Sequence, residues 1–393
     1  MGPLLTSLSG CSIKIEQLLK AKDSMTAPDR ATAVDTIRMA SLIGICVVNV
    51  TFLGLPAEAT MVPPVGTADQ IAAFFVEALF QSKFFVLFSF LFGWGIDVQQ
   101  KSAARAGVSF GARYTRRVIG LAGLGCLHAV LVFTGDILLI YALLGLLIWP
   151  FRGLSVQALM RIAYAMIPVA AICLTGLAVA LTDQTVPVVG PSLGGSFIEA
   201  TRARLIDWPQ TLGFLLLFQG PLAFGAFAMG LAAGKAQFFA PGSAGRAALA
   251  RRVPWYLALG IPLNLVYAAS ISGMIPADRE MLSLAGFVGI ALAGPMLAAV
   301  YLHLLVALND RVRLPATLVT AGKNSLTAYV LQGVIAGFVF GGYGLGLFGQ
   351  IGLAGLVPLG LAIAVVAIAV TGAMARHSGR APLEAILRRL TYL

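Results

Sequence analysis

The chain has 393 residues, 59% of them hydrophobic and 11% charged, with a formal net charge of +11. That apolar share exceeds what a soluble domain can bury, so a water-soluble globular protein is excluded and one membrane-embedded bundle is expected. The positive balance sits in short segments between apolar stretches; it fits attraction to anionic lipid and argues against nucleic acid as a partner.

Ahead of the first span, Ser12 to Ala21 alternates apolar Ile13, Leu18 and Leu19 with polar Lys14, Glu16 and Lys20, as an amphipathic surface helix would. Leu8 to Cys11 spells a lipoprotein cleavage box, but no basic region or long apolar stretch precedes it, so it reads as coincidence. Ten apolar stretches follow: Ile37 to Pro56, Ile71 to Ile96, Val118 to Thr134, Gly135 to Phe151, Ile162 to Leu181, Leu212 to Ala233, Val253 to Ile275, Met281 to Leu308, Leu318 to Phe340 and Ile351 to Ala375. Lys and Arg concentrate in the amino-terminal segment, the gaps after the second, fourth, sixth and eighth stretches, and the carboxyl tail. The intervening gaps hold only Arg202, Arg204 and Arg279. Because Lys and Arg resist translocation, the rich side is the cytosolic one.

The expected fold is therefore an all-α integral membrane protein, a single polytopic bundle of ten transmembrane helices with both termini cytosolic. Residues 1–35 form the cytosolic amino-terminal segment, 36–375 the transmembrane domain and 376–393 a basic cytosolic tail. The basic bias permits a bacterial inner (cytoplasmic) membrane as the location. Cys46, Cys126 and Cys173 fall within spans and Cys11 on the cytosolic side, so no disulfide is expected.

A strongly polar side chain in hydrocarbon costs about 2.5–3.5 kcal/mol on insertion scales and persists where it faces a cavity or a partner. Such residues map candidate function. In the first span Arg38 and Asn49 stand eleven residues apart. Eleven residues return to within about 20° of one helix face and rise about 16 Å. One helix thus aims an edge guanidinium and a mid-membrane amide into one groove. An interfacial anchor plus a helix-packing amide remains the alternative for these two positions.

The third and fourth stretches cross twice in 34 residues, Val118 to Phe151. The turn at Thr134 and Gly135 must be tight, which draws Asp136 below the outer surface and toward His128. Such a pair holds a neutral imidazole in one tautomer as a general base. A satisfied His with Asp136 capping the fourth helix is the competing reading. Lys83 lies within the second span, either in the same outer half or snorkelling outward. Gln219, Asn264, Tyr267 and Gln332 suit helix-packing hydrogen bonds.

Two basic clusters remain, Arg113, Arg116 and Arg117 before the third span and Arg246, Arg251 and Arg252 before the seventh. Both suit topology control and lipid headgroups. The first also suits a phosphate clamp beside Arg38, because guanidinium pairs phosphate oxygens bidentately. No Walker loop, dinucleotide fingerprint, nucleophile elbow or metal-spaced His/Cys cluster is present in the sequence, so neither a metal nor a tightly bound cofactor is expected.

Several segments resemble the YeiB-like family of bacterial integral membrane proteins, a domain of unknown function. Asp35, Ile37, Arg38, Leu42, Gly44 and Asn49 follow its opening, and KFFVLFSFLFG at Lys83 to Gly93 looks like its second-helix signature. His128 to Phe151, with GDILLIYALLG, is similar to its third and fourth helices. GKNSLTAYVLQ and GGYGLGLFGQ within Gly322 to Gln350, and PLEAILRRLTY at Pro382 to Tyr392, resemble its carboxyl-terminal region. Met39 departs from the family, which has Gly after the Arg.

More remotely the family is similar to membrane-embedded acyltransferases of the lysosomal heparan N-acetyltransferase and bacterial surface-sugar O-acyltransferase types. Many of the latter carry Arg, ten residues, then His in the first helix; here the spacing is kept as Arg38 and Asn49. Their Arg-rich element before the third helix is matched by Arg113, Arg116 and Arg117. The resemblance implies an acyltransferase that moves an acyl group from a cytosolic acyl-CoA-like co-substrate to a hydroxyl or amine on a small-molecule or glycan/lipid acceptor.

On that reading Arg38, Arg113, Arg116 and Arg117 bind donor phosphates, and His128 takes the place of the missing first-helix His, oriented by Asp136. Asn49 and Lys83 stabilise the developing oxyanion. A transporter of a small solute and a noncatalytic membrane scaffold are the rival readings; the sequence is compatible with an oligomer but does not set one.

Overall fold

The computed structural model describes residues 26–182 and 192–392. The surface helix expected at Ser12 to Ala21, and Cys11 with it, lie outside the described residues. Among the described residues every regular element is helical. The order is α1 (Thr26–Gly54), α2 (Thr67–Leu79), α3 (Lys83–Arg105), α4 (Phe110–Leu131), α5 (Leu138–Ile148), α6 (Val156–Thr182), α7 (Phe197–Phe218), α8 (Gly220–Lys235), α9 (Ala244–Ile271), α10 (Glu280–Arg311), α11 (Ala316–Lys323), α12 (Ser325–Phe340), α13 (Leu353–Ser378) and α14 (Pro382–Tyr392).

All ten apolar stretches are helical, but not as ten long helices. Among the described residues six helical segments are long and apolar enough to cross a membrane, or seven if the bent pair α7 and α8 is one span. The fourth stretch supplies only the eleven residues of α5 before a 3-10 turn at Trp149–Gly153. Eleven residues rise about 16 Å, roughly half the hydrocarbon thickness. The second, sixth and ninth stretches are each broken.

Each break has a local cause. Between α2 and α3, Ser82 takes a left-handed φ of 66°, which stops one helix and starts the next. At Gln219 the chain bends by 54°, and Pro221, in the first turn of α8, has no amide hydrogen to continue the preceding ladder. Between α11 and α12 the backbone leaves the helical region at Asn324, whose side chain donates to Thr320 O (2.8 Å) and accepts from Ala381 N (2.9 Å).

The centre is the α3/α8 pair. A Cβ on Gly93 would meet the Phe227 carbonyl oxygen at 2.0 Å, and one on Gly230 would meet the Phe90 carbonyl oxygen at 1.9 Å. The two backbones touch where both lack side chains, the packing that replaces the hydrophobic effect between helices in lipid. α11 sits equally close to α1, where a Cβ on Gly322 would meet the Asp35 carbonyl oxygen at 1.9 Å.

Two features were not expected. Arg204, in a basic-poor gap, is only 1% exposed; its guanidinium donates to Leu131 O (2.9 Å) and to the Tyr343 hydroxyl (3.1 Å), so it clamps α7 to the end of α4. And within 376–393 the residues of α14 fold back on α4 and α12, burying Leu387 and Thr391. Glu384 locks this helix down by accepting from Leu326 N (2.7 Å), Thr327 N (3.1 Å) and Thr327 Oγ1 (2.6 Å), which caps α12 from outside the helix.

Candidate functional site

Three helix paths run from the end of the bundle that carries α14 toward its middle. α1 bears Arg38 and then Asn49; α4 bears Arg117 and then His128; the α11/α12 path bears Lys323 and then Gln332. Both α1 and α4 use the same spacing of eleven, a rise of about 16 Å on one face. The first residue of each pair lines one cavity and the second lines another.

The lower cavity, about 350 Å³, is lined by Arg38, Arg117, Lys323, Arg380 and Arg388, with Phe88, Phe92, Trp94 and Tyr392 among its aromatic walls. Its one carboxylate, Glu384, is committed to the cap of α12. Burial pushes that carboxyl above its usual range, offset in part by its bonds to Thr327 and to the Leu326 amide. Arg38 pairs with Asp35 one turn back (3.0 Å). Arg117 Nε is buried with no hydrogen-bond partner among the described residues. A vestibule with five cations, an unsatisfied guanidinium nitrogen and flat aromatic faces suits a polyanion with a planar part.

The upper cavity holds about 10 Å³ and is lined by Asn49, His128, Gln332, Gly333 and Cys46 among others. That is room for about one water. His128 Nδ1 lies 2.9 Å from Asp136 Oδ1, both side chains being buried. The second Asp136 oxygen accepts from Leu139 N (2.9 Å) at the start of α5, so the tight hairpin fixes the carboxylate twice. A carboxylate can only accept, so the imidazole donates from Nδ1, and in its neutral form the lone pair is on Nε2. Nε2 has no hydrogen-bond partner among the described residues. It faces Gly333, where a Cβ would lie 2.9 Å away.

Tyr329 lines both cavities. Its ring stands 5.0 Å from that of His128, and its hydroxyl accepts from Ile137 N at 3.4 Å. It is the partition between the cation tier and the imidazole.

Of the residues singled out in the sequence, Arg38 and Arg117 share the vestibule, and Asn49 and His128 share the upper cavity, with Asp136 behind His128. Arg113 lines neither; its guanidinium lies 4.7 Å over the ring of Tyr392, which does line the vestibule. Arg116 is exposed and lines neither cavity. Lys83 is elsewhere, fully buried at the α2/α3 break, donating to Glu77 O (2.8 Å) and to the Asn264 carboxamide. Asn264 in turn donates to Ala78 O (2.8 Å). Lys323, Tyr329, Arg380, Glu384 and Arg388 were not singled out. The repeat of the Arg38 to Asn49 spacing at Arg117 to His128 was a signal for the two-tier plan; nothing in the sequence announced that the tail returns to the vestibule.

Residues 233–393 match the family described as "Protein of unknown function (DUF418)". The chain is 27% identical to the uncharacterized protein YxaH of Bacillus subtilis (strain 168), over 93% of this chain and 95% of the relative. It is 32% identical to the uncharacterized protein YeiB of Escherichia coli (strain K12), over 31% of each chain. An uncharacterized 39.9 kDa protein from the amylase 3' region of Bacillus acidopullulyticus is 32% identical over 33% of this chain and 36% of its own length. No solved structure matches.

Proposed function

Starting from a chain that belongs to the YeiB-like DUF418 family of membrane proteins, we propose a transmembrane acyltransferase. It takes the acyl group from a cytosolic acyl-CoA-like donor. In this reading the chain crosses a bacterial inner membrane ten times with both termini cytosolic, the short and broken helices being completed as spans by their neighbours. The vestibule then opens to the cytosol, where a phosphorylated donor is found.

The observation that carries the proposal is a cation-rich vestibule next to a small cavity whose imidazole has an unpartnered Nε2 among the described residues, with Tyr329 in the lining of both. Arg38, Arg117, Lys323, Arg380 and Arg388 hold the phosphates, and Trp94 or Tyr392 offers a face to the planar base. The acyl thioester points up past Tyr329, which must swing aside because the upper cavity is water-sized. His128 Nε2 accepts the proton of the acceptor hydroxyl or amine as its heteroatom attacks the thioester carbonyl carbon. The carbon–sulfur bond breaks and the proton passes to the leaving thiolate. Asp136 keeps Nδ1 protonated throughout and stabilises the imidazolium. The Asn49 carboxamide supplies a donor for the developing oxyanion in a site that excludes bulk water.

A second reading, passage of a small solute, draws on the broken segments at Ser82, Gln219 and Asn324 and on the buried Lys83 and Glu77 beside one of them, since discontinuous helices expose backbone groups to a substrate. It predicts flux without chemical change.

The test uses purified protein with labelled acyl-CoA and a panel of hydroxyl and amine acceptors. The expected result is saturable donor binding that weakens in Arg38→Ala and Arg117→Ala. Transfer should fall by about 10²–10⁴ in His128→Ala with donor binding intact. Equal transfer by wild type and His128→Ala would remove the catalytic half of the proposal, and donor binding indifferent to both arginines would remove the other.

A further inference from the structure

A second two-part cavity lies on the opposite side of α3 from the vestibule. Its inner part, about 280 Å³, is bounded by α3, α6, α8, α9 and α10 and is lined almost wholly by apolar side chains such as Met160, Met229, Ala299 and Leu302. Among the described residues Arg252 is the only charged one on its wall. Its outer part, about 750 Å³, is lined by Arg246, Arg311, Arg313 and His303, against Asp310, which pairs with Arg246. Phe238 and Leu249 line both parts, so the two adjoin across these side chains.

We infer that this cleft is a binding site for an anionic glycerophospholipid, its phosphate among Arg311, Arg313 and Arg246 and one acyl chain in the apolar groove between α6, α9 and α10. Three observations fix this occupant. The two parts differ in chemistry as a lipid's two ends do. The helices forming the groove's outer wall, α6 and α9, have only 22% of their most apolar windows buried within the protein, so this side faces hydrocarbon. And the mouth carries three guanidinium groups, Arg246, Arg311 and Arg313, against the one carboxylate of Asp310, an excess that favours anionic over zwitterionic lipid. The site shares no lining residue with the vestibule or the His128 cavity and does not depend on the acyltransferase reading.

Native mass spectrometry of delipidated, detergent-purified protein tests it, titrating dioleoylphosphatidylglycerol, dioleoylphosphatidylcholine, dihexanoylphosphatidylglycerol and inorganic phosphate. The expected result is one saturable dioleoylphosphatidylglycerol site, roughly tenfold or more tighter than for the choline lipid, with the short-chain lipid and phosphate far weaker. Arg311→Glu combined with Arg313→Glu, both at exposed positions, should erase the headgroup preference. Ala299→Trp should fill the groove and remove long-chain binding while elution volume and helicity stay unchanged. Should that variant fail to fold, the arginine pair decides alone. Equal affinity for the two dioleoyl lipids, or short-chain lipid and phosphate binding as tightly as the long-chain lipid, overturns the inference, as does unchanged selectivity in the arginine double variant.

Discussion

Glu384→Ala separates the docking of α14 from the stability of the bundle. The carboxylate accepts three hydrogen bonds from the first residues of α12, two from amides and one from the Thr327 hydroxyl. At about 1 kcal/mol each, a conservative figure for a half-buried capping group, their loss weakens docking by about 3 kcal/mol, or roughly 100-fold in the docked-to-free ratio. Hydrogen exchange followed by mass spectrometry reads this directly. Amides of residues 382–392 should exchange roughly 100-fold faster in Glu384→Ala, and about tenfold faster in Glu384→Gln, whose carboxamide keeps one acceptor oxygen. Exchange in α3 and α8 should not change.

The same assay carries a pH signature. Burial raises the docked carboxyl above its usual range, so the docked helix binds a proton more readily than the free one. Docking is therefore strongest below the free carboxyl's range, weakens as pH rises through the docked value, and then levels off. Glu384→Gln should lack this dependence. Because Arg380, Arg388 and Tyr392 travel with α14, donor affinity should fall along with protection. Unchanged exchange over 382–392 in Glu384→Ala, or an increase spread over the whole bundle, would refute the argument.

Three further outcomes are expected. Gly333→Ala places a Cβ 2.9 Å from His128 Nε2 and 2.8 Å from Val132 Cγ1; transfer should drop at least about tenfold with donor binding preserved, measured by paired binding and turnover assays. Gly230→Val drives side-chain atoms into the Phe90 carbonyl and should cost roughly 3 kcal/mol or more, seen as a loss of monodisperse protein on size-exclusion chromatography, whereas exposed Gly123→Ala should be silent. Lys83→Met removes the buried donor to Glu77 O and to the Asn264 carboxamide, along with a positive charge near the Glu77 side chain, and should destabilise the protein by roughly 3–5 kcal/mol in thermal unfolding. Adding Glu77→Gln should restore part of the loss. A Lys83→Met protein of wild-type stability that has lost transfer would instead return Lys83 to the reacting site.

Much of the site was legible because membranes penalise polar groups individually. Arg38, Asn49, His128 and Asp136 stand out against apolar neighbours, and helical periodicity alone aligns the first two. The short link between α4 and α5 leaves few ways to place Asp136, which is why its approach to His128 could be read from spacing. Lys83 stood out by the same rule, yet its partner Asn264 is 181 residues away, and no local pattern reveals a cross-chain hydrogen bond. Arg380 and Arg388 looked like ordinary topology signals, as basic residues beside spans generally are, and Lys323, five residues into the ninth stretch, was passed over.

What the amino-acid sequence determined by itself is the solvent each segment prefers: apolar runs long enough to leave water, basic residues gathered in alternate gaps, and polar residues too costly to place in lipid without a partner. Those are one-dimensional properties, set by composition and by the rise of a helix. Which helices break, and how groups far apart in the chain gather, was decided only by tertiary packing. The glycine contacts of α3 with α8 and the return of α14 under α12 choose the neighbours, and a cavity exists only between neighbours.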